Sequence, residues 1–353
     1  MNYKYIIPLT FTVIFILNGC HSGTEKKQDK EAAEQTTPQV QETKLLVVDT
    51  LPKPVAKPAA LDTASYRAKL TALANGDTTG LWPNHLQSYP LNGAILPFKR
   101  IVAYYGNLYS KKMGVLGEYP PKELWRKLNA EVKAWEEVDP STPVQPAIHY
   151  IAAVAQGIPM KDGTYCKRMP DMQIDSALTI AKMGNAIVFL DIQVAQSNLQ
   201  HEVPLLEKYL KMPNVHLAID PEFSMKDGHI PGRKIGTMDA NDINYCSEYL
   251  AKLVKENNLS PKILIVHRFT QGMVRNYINI KLRPEVQIVM NMDGWGEPVL
   301  KHSTYLLYIY HEPVQFTGFK LFYKNDLKKP PHRMLTPTDL MKLKPQPIYI
   351  QYQ

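Results

Sequence analysis

The stretch Asn214-Val-His-Leu-Ala-Ile-Asp-Pro-Glu-Phe223 decides the fold: an apolar run that closes on two carboxylates one residue apart. In an extended strand successive side chains alternate between faces, so Leu217 and Ile219 point one way and Ala218, Asp220 and Glu222 the other. Pro221 has no amide hydrogen to give to a neighbouring strand, and it marks the point where the strand passes into a loop. The two acids therefore share a face at the C-terminal end of a strand, with Glu222 free to reach a ligand.

The same pattern repeats on both sides of this stretch. Short apolar segments with polar residues at their ends occur at 100–107, 144–155, 185–194, 215–223, 262–270, 286–294, 314–323 and 347–353. Helix-like stretches lie between them at 121–138, 175–183, 203–212, 240–258 and 272–282. Strands that alternate with helices pair in parallel, and about eight such units closing on themselves make a (β/α)8, TIM-like barrel, expected over residues 95–353. An open dinucleotide-binding sheet would carry G-x-G-x-x-G after its first strand, and this chain has none. The run 348–352 also reads as a strand with no helix after it, which is most stable when paired on both edges. Residues 62–94 are expected to form a capped helix, ending at Asn75-Gly76, and a loop that packs on the barrel.

Barrel active sites lie at the C-terminal ends of strands, on the inward face. Alternation places Asp191, Gln193, Asp220, Glu222, His267, Asn291, Asp293, Lys320 and Gln351 there. Four carboxylates in one mouth repel one another unless they share protons, hold a ligand or face the cations His267, Arg268 and Lys320. Such a cluster suits glycosidic bond cleavage, in which one carboxyl group stays protonated and another ionised. The expected catalytic set is Glu222 as acid, with Asp220, Asp293 or Asp191 as the second carboxylate. Tyr105, Gln193, His267, Asn291, Trp295, Lys320, Tyr323 and Gln351 are the expected substrate contacts. Tyr104 and Tyr352 join Tyr105, Trp295 and Tyr323 as rings able to stack on sugars. Gly294 and Gly296 leave Trp295 open, and the long loop 224–239, with three glycines and Arg233, reads as a lid over the acids.

Two other readings fit the same residues. In one, Asp191, Asp220, Glu222, His267 and Asp293 hold one or two divalent ions for a metal-dependent hydrolase. No H-x-H or H-E-x-x-H spacing requires this, and the sequence demands no metal and no cofactor. In the other, a barrel lipoprotein captures a saccharide without cutting it. No G-x-S-x-G elbow occurs. The chain carries a formal charge of +8, but its basic residues are scattered without an Arg-rich run, so nucleic acid is not an expected partner.

The first twenty residues read as an address. Lys4 precedes an apolar run from Tyr5 to Leu17, and Leu17-Asn18-Gly19-Cys20 closes it. This order resembles a bacterial lipoprotein signal with its lipobox. The resemblance implies cleavage of residues 1–19, lipidation of Cys20 and tethering to the cell membrane or outer membrane, outside the cytoplasm. Residues 20–61, rich in Glu, Lys, Gln, Thr and Pro, cannot bury enough apolar surface to order themselves and are expected to form a flexible tether. Two cysteines remain in the domain, Cys166 and Cys246, whose pairing the sequence leaves open.

Asp220-Pro221-Glu222 and Met290-Asn-Met-Asp293 resemble two motifs of the chitinase-type glycosidases, D-x-x-D-x-D-x-E on the fourth strand and M-x-Y-D on the sixth. The resemblance implies Glu222 as acid, Asp220 as assisting carboxylate and Asp293 as the substrate-positioning residue. Val215 and Ala218 stand where that family has two more acids, and Met292 where it has tyrosine. Taken whole, the chain also resembles bacterial surface lipoproteins with a glycosidase-like barrel, which implies a cell-envelope glycan hydrolase.

Overall fold

The computed structural model describes residues 60–84 and 88–353. The expected signal, Cys20 as the expected lipidation site, and all of the expected tether but its last two residues lie outside the described residues.

Eight parallel strands form the centre: β1 Arg100–Gly106, β2 Val144–Ala155, β3 Ile187–Ile192, β4 Val215–Ile219, β5 Lys262–Arg268, β6 Val286–Met292, β7 Phe316–Leu321 and β8 Tyr349–Tyr352. Each pairs with the next, and β1 pairs with β2 (Tyr105 opposite His149) and with β8 (Ile101 opposite Tyr349). The sheet therefore closes on itself as a (β/α)8 barrel. A short strand, Cys166–Arg168, adds antiparallel to the end of β2.

Alternation divides the apolar residues into two sets. One set fills the ring: Ile101, Ala147, Ile187, Phe189, Ala218, Ile263, Ile265 and Val289 are all buried in a single cluster. Helix α1, Thr63–Ala74, contributes Tyr66 to that cluster, and Leu96 joins it. The first residues of the strands supply much of this set, so α1 covers the end of the ring opposite the strand C-termini. Its own ends are fixed locally: the Asp62 carboxyl accepts from the amides of Ala64 and Ser65, and Asn75 turns the chain out at φ 53°.

The other set, including Val102, Ile148, Val188, Leu217, Leu264, Ile288 and Ile350, packs against the outer helices. These are α2 Pro121–Val138, α3 Asp171–Lys182, α4 Leu199–Leu205, α5 Glu207–Leu210, α6 Ala240–Glu256, α7 Pro298–Tyr305 and α8 Pro337–Leu340. In α2, Leu124, Leu128 and Trp135 recur at helical spacing and are fully buried, each leucine worth about 1.5–3 kcal/mol.

One expectation is corrected. The helix expected at 272–282 is replaced by two single 3-10 turns, Gln271–Met273 and Tyr277–Asn279, with Val274–Arg275 paired to Met238–Asp239 between them. Asn276 there has φ 56°, a left-handed conformation that breaks a helix, so local backbone chemistry overrides the apolar spacing. After β7 only the one-turn α8 forms, because Pro330, Pro331 and Pro337 crowd the connection.

Cys166 and Cys246 are both free and buried, and burial pushes the Cys166 thiol up to about 12. Among the described residues, no helix is long and apolar enough to cross a membrane.

Candidate active site

At the C-terminal end of the ring the inward side chains turn from apolar to charged. A continuous line of contacts crosses the mouth. Lys320 Nζ lies 2.8 Å from Asp293 Oδ1, and Asp293 Oδ2 lies 3.0 Å from His267 Nδ1. His267 Nε2 lies 3.3 Å from Asp191 Oδ2, which lies 3.2 Å from His149 Nε2. His149 Nδ1 is 2.6 Å from the Tyr349 hydroxyl, to which Gln351 Nε2 donates at 2.9 Å. Six of the eight strands thus contribute to one network: β2, β3, β5, β6, β7 and β8. Tyr105 of β1 lies against it, its ring centroid 3.8 Å from Lys320 Nζ and 5.1 Å from that of His149. Gly318 makes room for this packing, since a Cβ there would meet Asn291 Oδ1 at 2.7 Å and the Tyr349 ring at 2.9 Å.

Asp220 and Glu222 sit on the 3-10 turn Pro221–Phe223 that ends β4. Asp220 Oδ1 accepts from the Glu222 amide at 3.1 Å and Oδ2 from Gln193 Nε2 at 3.2 Å. Gln193 is itself fixed, its Oε1 accepting from the Ala155 amide at 3.1 Å. The long loop that follows is stapled to the turn: the Gly236 amide donates to the Glu222 carbonyl at 2.6 Å, and the Met225 amide to the Ala195 carbonyl at 2.8 Å. Only glycine fits at 236, because a Cβ would lie 2.5 Å from the Pro221 carbonyl oxygen. Arg233 on this loop is exposed.

The environments divide the acids. Asp191 is fully buried, which alone would raise its pKa, but the charge of His267 and the contacts from both histidines hold it well below the usual carboxylate range. Asp293 is likewise held down against burial by Lys320 and His267. Burial would lower His267, yet Asp293 and Asp191 raise it to about 10. His149 is lowered to about 4 by burial, which Asp191 only partly offsets. Asp220 is raised to about 7 by burial, with Asp191 and Asp293 adding to the shift and His267 opposing it. Glu222, partly exposed, is raised to about 8 by the surrounding protein, then by Asp220 and Asp293. At neutral pH the mouth therefore holds ionised Asp191 and Asp293 beside a largely protonated Glu222.

The structure gathers Tyr105, Asp191, Gln193, Asp220, Glu222, His267, Asn291, Asp293, Lys320 and Gln351. Tyr323 is a correction, because it faces α2 outside the ring. Its hydroxyl donates to Glu131 Oε1 at 2.6 Å and its ring stacks on Tyr352 at 5.5 Å. Tyr104 and Tyr352 are on that outer side too, Tyr352 accepting from Trp135 Nε1 at 3.1 Å. Arg268 also faces outward, its guanidinium paired with Glu312. These residues stand one position off the inward set, and the two-residue period sends them to the helices. Trp295 is partly exposed, with Lys328 Nζ 5.2 Å from its ring centroid.

His149 is the site residue missed by reading the sequence. Pro146 lies inside β2, within a segment of uncertain bounds, so its inward phase could not be set from the chain alone. Its register partners would have revealed it: His149 pairs with Tyr105 on β1 and with Phe189 on β3, both inward.

No protein-family model and no curated protein matches the chain. Among solved structures it is similar to Bacillus subtilis mannanase man26, at 11% identity and a TM-score of 0.39, over 84% of this chain and 86% of that one. Bacillus subtilis mannanase BCman aligns at 11% identity and a TM-score of 0.37, over 84% and 87%. A ruminal GH26 endo-beta-1,4-mannanase aligns at 10% identity and a TM-score of 0.34, over 72% and 59%.

Proposed function

We propose that this protein is a glycan hydrolase of the cell envelope in which Glu222 is the general acid. The observation that carries the reading is the opposite displacement of two neighbouring acids, Glu222 raised to about 8 and Asp293 held low. Protonated Glu222 gives its proton to the glycosidic oxygen as the bond to the anomeric carbon breaks, and the bonding electrons leave with that oxygen. Ionised Asp293 faces the positive charge that develops on the sugar. Water then completes the anomeric centre and returns a proton to Glu222. Asp191, fully buried between two imidazoles, supports the site without meeting substrate. Asp220, held by Gln193 and the Glu222 amide, orients the turn and raises the pKa of Glu222.

The test is reducing-end release from a panel of envelope and plant polysaccharides. Glu222→Gln is expected to lose about 10²–10⁴-fold in rate with its unfolding midpoint near that of wild type. Equal yields would remove Glu222 from the mechanism, and binding by wild type without any product would favour saccharide capture.

Export and anchoring through Cys20 belong to the same proposal and are supported by the order of charge, apolar run and Leu-x-Gly-Cys. Cys20→Ala should move the protein from the membrane fraction to the soluble fraction. An unchanged partition would overturn the anchor.

A further inference from the structure

We propose that His149, Asp191 and His267 form a binding site for one divalent transition ion, zinc by its chemistry, inside the barrel. The donors come from three strands, β2, β3 and β5, and all three residues are fully buried. Their ligand atoms lie within 4.8 Å of one another. The two short edges, 3.2 Å and 3.3 Å from the imidazole Nε2 atoms to Asp191 Oδ2, match what coordination requires. Bonds of about 2.0–2.1 Å to nitrogen and oxygen set neighbouring donors roughly 3.3 Å apart at the tetrahedral angle.

Orientation argues further than distance. Both Nε2 atoms and both Asp191 oxygens are buried yet make no aligned hydrogen bond, although each nitrogen lies within ion-pair range of Oδ2. A cation between the two rings and Asp191 would give these four buried atoms the partner they lack. The remaining ring nitrogens are already engaged, His267 Nδ1 by Asp293 and His149 Nδ1 by the Tyr349 hydroxyl and by Gln351 Nε2 at 3.0 Å. A carboxylate on the outer nitrogen, as at His267, is how metal-bound imidazoles are oriented.

Two imidazoles and one carboxylate form a borderline set that favours zinc, cobalt or nickel over magnesium or calcium, with a fourth position open to water. The site does not depend on the hydrolase reading, since neither Glu222 nor Asp220 is a ligand. It gives the buried charges of the mouth a second role: they anchor an ion between strands.

The experiment loads the purified protein with Zn2+ or Co2+, removes the excess by gel filtration and measures bound metal by mass spectrometry. One ion per chain is expected, with visible Co2+ absorption. His149→Ala is expected to bring the content to background, and Asp191→Asn, which keeps the side-chain shape, to weaken binding at least tenfold. If a variant fails to fold, anomalous scattering from metal-soaked wild-type crystals decides: a peak bonded to His149, Asp191 and His267 supports the site. No retained ion, or an ion elsewhere such as at the exposed His229 and Asp227 pair, would overturn it.

Discussion

Glu222 and Asp220 make the mouth sensitive to pH in a direction that can be worked out. Their folded pKa values, about 8 and about 7, lie above the ordinary 4.5 and 3.8, so over that interval the native chain binds more protons than the unfolded one. The stability these groups contribute is complete at acid pH and is lost as the pH rises through 7 and 8. Urea midpoints measured at pH 5 and pH 9 should therefore fall for wild type and fall less for Glu222→Gln. Parallel curves would show that Glu222 titrates normally. If it acts as the acid, turnover should decline along the same alkaline limb. The residue scale was the most legible in the sequence where a strand was well marked: Asp191, His267 and Asn291 follow from alternation alone. Tyr323 is misread because it is chosen as a ring near a strand end and not by its phase: it stands three residues after the inward Lys320, and the two-residue period turns it to the helices.

At the scale of elements, the connections were harder to read than the strands. A strand's phase is written in every second residue, whereas the stretch 272–282 depended on one left-handed asparagine and on pairing with a strand some 36 positions earlier, neither visible in its apolar spacing. The loops after β6 and β7 depend on a partner of the same distant kind. Lys301 in α7 is buried, and its Nζ donates to Asp326 Oδ2 and to the Lys320 carbonyl, both at 2.7 Å. Asp326 also accepts from the amides of Gly296 and Phe322. One carboxylate thus ties α7 to the loops on either side of it. Asp326→Ala leaves the Lys301 ammonium buried without its counter-charge, and chemical denaturation should record a loss of about 3–5 kcal/mol. A loss under about 1 kcal/mol would mean that Lys301 finds water or discharges its proton instead.

At the scale of the whole molecule, closure was legible because eight strand-like segments alternating with helix-like stretches, and no glycine-rich dinucleotide turn, left few alternatives to a ring. The position of the carboxylates at one rim followed from closure. Their division into raised and lowered acids did not, because it rests on how deeply each side chain is enclosed and on which acids meet His267 and Lys320, with His149 adding to the hold on Asp191. The two cysteines bear on how the domain can be handled. Cys166 lies against β2 and Cys246 on α6, each sealed away with its thiol intact. No covalent cross-link has to form for this ring to close. A cytosol that keeps sulfur reduced is therefore as suitable a place to make the domain as any oxidising compartment.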